Sequence, residues 1–117
     1  MGDISDALSR ARGDAQALHQ KIEDATTKSH VTARNDLQQA GAKAQELAAL
    51  LKTLAESQRN DARQYLKSAT VQLEDAGRRA ADLAHATQSQ ITDANKCMLA
   101  RVRESVQNIT HAIASLR

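Results

Sequence analysis

The chain has 117 residues, with 16 basic against 14 acidic side chains, one Tyr, one Cys and no Trp, Phe or Pro. That length fits one domain, and the lone cysteine excludes both a disulfide framework and a cysteine-based zinc site. The longest apolar run, Leu47–Leu51, is far below the roughly 20 residues of a membrane span, and no charged segment leading into an apolar run opens the chain, so a cytoplasmic location is expected.

Composition favours helix throughout. The 23 Ala and 12 Leu are strong helix formers, and the strongest breaker, proline, is absent. Starting at Ile4 and stepping three or four residues to the next small or apolar side chain, the first segment gives Leu8, Ala11, Ala15, Leu18, Ile22 and Ala25. The walk continues through Ala33, Leu37, Ala40, Ala44, Leu47, Leu51 and Leu54. A third stretch carries Ala62, Tyr65 with its neighbour Leu66, Ala69, Leu73, Ala76, Ala80 and Leu83, and the last carries Ile91, Ala94, Met98, Val102, Ile109, Ile113 and Leu116. The mean step is about 3.6 residues, the period of a nearly straight α-helix. A tight leucine zipper would average 3.5.

Only Ser29, Gln58, Thr87 and Ser105 put polar side chains on this stripe, and the first three recur every 29 residues. The segment Ala33-Arg-Asn-Asp-Leu-Gln-Gln-Ala40 returns at the same interval as Ala62-Arg-Gln-Tyr-Leu-Lys-Ser-Ala69. Any two helical stretches of one period share phase, so the recurrence is read as common phase before internal duplication.

One helix spanning the stripe would be about 170 Å long and could not bury its own apolar face. The best break is Glu56-Ser-Gln-Arg-Asn-Asp61, which has no apolar residue and offers Ser57, Asn60 and Asp61 as capping types. Folding there gives an antiparallel hairpin of two long helices in a coiled-coil-like bundle. A further break at Thr26-Thr-Lys-Ser-His-Val-Thr32 would give a three-helix bundle, and no break at all a continuous rod. Gly13, Gly41 and Gly77 read as interior helix glycines, not stops. Asp3 and Asp6 suit the first turn of the opening helix. The pairs Asp6/Arg10, Asp24/Lys28, Glu74/Arg78 and Asp75/Arg79 read as solvated outer faces. The whole of 1–117 is taken as a single all-helical domain.

Alanine fills about a third of the stripe, so a lone hairpin would bury little area. The stripe is therefore expected to be completed by further helices, from a second copy or from another helical protein. The residues expected to carry this interaction are Leu8, Leu18, Ile22, Leu37, Leu47, Leu51, Leu54, Leu66, Leu73, Leu83, Ile91, Met98, Val102, Ile109 and Ile113. This makes the protein a non-enzymatic structural or protein–protein interaction module. The rival is an amphipathic helical protein coating a lipid or granule surface, against which the alanine-rich, tryptophan-free stripe argues.

No catalytic constellation, cofactor loop or metal set emerges. His19, His30, His85 and His111 are not spaced in helical pairs; His19/Glu23 and Asp82/His85 are the nearest approaches to ligand spacing. Cys97 beside Met98 is read as a semi-buried thiol, with an intermolecular disulfide as the alternative. Asn108-Ile-Thr110 matches a glycosylation acceptor by chance, and the glycines never cluster into a phosphate loop. Arg59, Arg63 and Lys67 share a face, followed by Arg78, Arg79, Arg101 and Arg103. Interspersed Asp61, Glu74, Asp75 and Glu104, and the lack of stacking aromatics, argue against nucleic acid as a partner.

Overall fold

The computed structural model describes residues 2–58, 60–83 and 85–116, and within these every regular element is an α-helix. Arg59, part of the basic face named above, lies outside the described residues, as do the side chains of Asp3 and Asn60. Four helices follow one another: α1 (Gly2–Ala25), α2 (His30–Glu56), α3 (Asn60–Ala81) and α4 (Gln88–Ser115).

Each boundary has a local cause. At the end of α1 the amides of Thr26, Thr27 and Lys28 bond back three residues, to the carbonyls of Glu23, Asp24 and Ala25, which tightens and stops the helix. Ser29 then takes an extended conformation and its hydroxyl accepts from the Thr32 amide, capping α2. Ser57 closes α2. Asp61 stands in the first turn of α3 and Arg78 and Arg79 in its last, the arrangement the helix dipole favours. Thr87 opens α4 with a reciprocal cap: its hydroxyl accepts from the Gln90 amide, and the Gln90 side chain accepts from the Thr87 amide at 2.9 Å.

The expected turn at 56–61 and the extra break at 26–32 are both present. A third break, at residues 82–87, was not placed from the sequence. Each arm of the expected hairpin is therefore folded once more, and the bundle measures 46 × 19 × 17 Å instead of the roughly 85 Å that two helices of about 55 residues would span. Ser29, Gln58 and Thr87, the polar positions 29 residues apart, fall one in each linker. The recurring segments at Ala33 and Ala62 both lie near the start of a helix, with Ala33, Leu37 and Ala40 buried in one and Ala62, Leu66 and Ala69 in the other.

Short linkers make sequential helices antiparallel neighbours. Helices α1 and α3 occupy one diagonal of the bundle, and each packs against both α2 and α4. The core is one continuous cluster of leucine, isoleucine and alanine, joined by Met98 and Val102 of α4. Two buried hydroxyls inside it are satisfied on their own helix: Ser105 donates to the Val102 carbonyl at 2.6 Å and Thr70 to the Leu66 carbonyl at 2.8 Å. Gly41 and Gly77 bring α2 and α3 close together, because a Cβ at position 41 would collide with Ala80 and one at 77 with the Gln45 side chain. No helix among the described residues is long and apolar enough to cross a membrane.

Candidate interaction surface

The residues expected to meet a partner are the ones this chain packs against itself. Leu8, Leu18, Ile22, Leu37, Leu47, Leu51, Leu66, Leu73, Leu83, Ile91, Met98, Val102, Ile109 and Ile113 are all buried, and Leu54 is half-buried against the same core. Four short helices give each stripe two neighbours, where a single hairpin would give it one. The need for outside helices, which followed from two long arms, is thus met within one chain.

What remains outside is mostly polar. The main interhelical network joins α3 to α4. Asp75 accepts from Arg79 of its own helix and from Arg101 of α4, each at 3.1 Å, with Arg78 at 3.6 Å. Arg101 also reaches Glu104 at 3.2 Å, and Glu104 accepts from Gln72, whose carbonyl oxygen takes a hydrogen bond from Asn108. Burial pushes the Asp75 carboxyl up, but the hydrogen bonds and charges of Arg79 and Arg101 outweigh it and hold it below the ordinary carboxylate value. Of the helix pairs expected on the outer faces, Asp75/Arg79 is formed, whereas Arg78 turns to Asp75 and Lys28 to Asp36 at 2.6 Å. The Asp36 hydrogen bond raises the Lys28 pKa.

One buried polar group ties two distant segments together. Asn95 of α4 is 4% exposed and donates to the Ile22 carbonyl, in the last turn of α1, at 2.7 Å. Nothing in the local sequence marks it; its partner is 73 residues away.

The histidines are spread out. His19 stands 3.8 Å from Glu23, His30 meets Gln88 at 2.8 Å across two linkers, His111 lies against the Tyr65 ring, and His85 is exposed in a turn. Cys97 is half-buried and unbridged. No three His, Cys, Asp or Glu side chains among the described residues gather in a group that would suit a metal ion.

Among the described residues, three large apolar side chains are left in solvent: Val31 (55% exposed), Leu50 (43%) and Val71 (60%). Val31 and Val71 lie apart, at the start of α2 and on the outer side of α3. Leu50 instead borders a groove of about 360 Å³ between α1 and α2, lined by Asp14, Ala17, Leu18, Lys21, Lys43, Glu46, Leu47 and Leu50. This groove could not be read from the stripe, because Ala17 and Leu50 lie off it and become neighbours only when α1 packs on α2. Compared with family models, with curated proteins and with solved structures, the chain matches none of them.

Proposed function

We propose that this protein is a non-enzymatic structural or protein–protein interaction module, acting in the cytoplasm, that associates with itself or with another helical protein. The observation that supports this most is the burial of most of the stripe inside one closed bundle. The methyl-lined seam builds a platform and leaves the outer helix faces to dock. Buried as they are, the stripe leucines reach a partner only if the bundle opens.

The second reading, a coat on a lipid or granule surface, draws on the same feature. Four amphipathic helices joined by short linkers at the bundle ends can unfold flat, turning a continuous apolar face to a hydrocarbon surface. Circular dichroism and thermal melting with and without vesicles of mixed zwitterionic and anionic lipid separate the two. The interaction module is already highly helical in buffer, melts cooperatively and is unchanged by vesicles. Loss of the cooperative melt on adding vesicles, with helicity rising or retained, would overturn it in favour of the coat.

A further inference from the structure

We infer that the α1–α2 face docks a second copy of this chain, antiparallel to the first, across a two-fold axis that lies in the face and runs perpendicular to the helices. The inference rests on the reading of the chain as an interaction module and names its partner and surface. Its basis is the charge order around the groove. The Lys21–Gln39 hydrogen bond sets the register of α1 against α2, and in that register Lys21 and Lys43 lie toward the end of the bundle that carries the 26–29 linker, with Asp14 and Glu46 on the far side of them. On α1 the separation from Asp14 to Lys21 is seven residues, about 10 Å; on α2, from Lys43 to Glu46, it is three residues, about 4.5 Å. Because the helices run in opposite directions, both lysines fall on the same side.

The rim is therefore neutral as a whole but polar along its length. A polyanion or an anionic lipid surface would meet repulsion from Asp14 and Glu46. A basic segment would meet it from Lys21 and Lys43. The occupant that fits carries the reverse order, and a two-fold copy of the same face supplies that by symmetry. Rotation about the in-plane axis sets the lysines of each copy opposite the acids of the other. The charges are not committed elsewhere. Lys43 and Glu46 touch only at 3.8 Å with both side chains 74% exposed, Lys21 donates to the neutral Gln39, and neither Lys21 nor Asp14 forms an ion pair among the described residues. Between the charges, exposed Ala17 allows a close approach, and Leu50 of each copy is covered by the other.

Sedimentation equilibrium over a wide concentration range tests this with four samples. They are the wild-type chain, a Lys21→Glu/Lys43→Glu variant with an all-acidic rim, an Asp14→Lys/Glu46→Lys variant with an all-basic rim, and an equimolar mixture of the two variants. Circular dichroism checks that each remains folded. The expected result is a wild-type dimer, at least about tenfold weaker association of each variant alone, and a dimer restored in the mixture. A wild-type chain that stays monomeric overturns the proposal, and leaves the module reading to the vesicle experiment above. Equal association by all samples also overturns it, since self-association then uses another face.

Discussion

Gly41 of α2 packs directly on Ala80 of α3, with the Gly77 carbonyl oxygen 3.4 Å from the place a Cβ at position 41 would take. The absent side chain is what lets the two helices approach. Gly41→Ala would gain about 1 kcal/mol of helix propensity but must push α3 away, and overpacking of this kind costs about 1–3 kcal/mol. Gly13 of α1 has nothing within 4 Å of such a Cβ, so Gly13→Ala should stabilise by about 0.5–1 kcal/mol. Thermal melts of the two variants should move in opposite directions. If Gly41→Ala melts as high as Gly13→Ala, the close approach is not what position 41 provides.

Asn95 of α4 holds the end of α1 by hydrogen bonding to its backbone, through the Ile22 carbonyl. Replacing it with Leu should cost about 1–3 kcal/mol, because a buried carbonyl loses its donor. Asn95→Asp should cost more at neutral pH, since a carboxylate cannot donate and is repelled by the carbonyl. It should recover partly in acid, where the protonated form donates again. Urea unfolding at two pH values checks this; an Asn95→Asp variant equal to Asn95→Leu at both would count against the bond.

Core and surface positions should differ sharply. Leu51 is fully buried and Lys67 is exposed. Leu51→Asp places an unpaired charge in the seam and should abolish cooperative melting, whereas Lys67→Ala should stay within about 0.5 kcal/mol of wild type. A cooperative melt for Leu51→Asp would show that the seam is not the source of stability.

Acid should loosen the α3–α4 network. The Asp75 carboxyl is held below its ordinary value by Arg79 and Arg101, so the folded state binds its proton less readily than the unfolded chain does. Its contribution is fully present above the unfolded value of about 3.9 and is lost as the pH falls through the lower folded value. Asp75→Asn should therefore be less stable than wild type at neutral pH, with the gap closing in acid. A gap that stays constant into strong acid would assign the loss to packing instead of charge.

The helical period, the identity of the core-facing side and the turn at 56–61 were all legible in the residues, because each is a local property: spacing, capping type and the absence of proline. Thr87 was also legible as a polar step in the stripe, on the same 29-residue interval as Ser29 and Gln58, yet its break was not placed. The linkers keep the stripe in phase, with one polar residue standing at a stripe position in each. A pattern that counts only phase therefore runs across them unbroken.

The amino-acid order by itself determined that this chain is helical, which side of each helix is apolar, and that an isolated helix or simple hairpin would leave that side poorly covered. Only the packed structure decided that the covering helices come from the same chain, that Gly41 rests on Ala80, that Asn95 reaches Ile22, and that Ala17 and Leu50 border one groove. The reason is that helix phase depends on neighbours three or four residues away, whereas contacts between helices depend on where the chain reverses, and small polar linkers mark those reversals weakly.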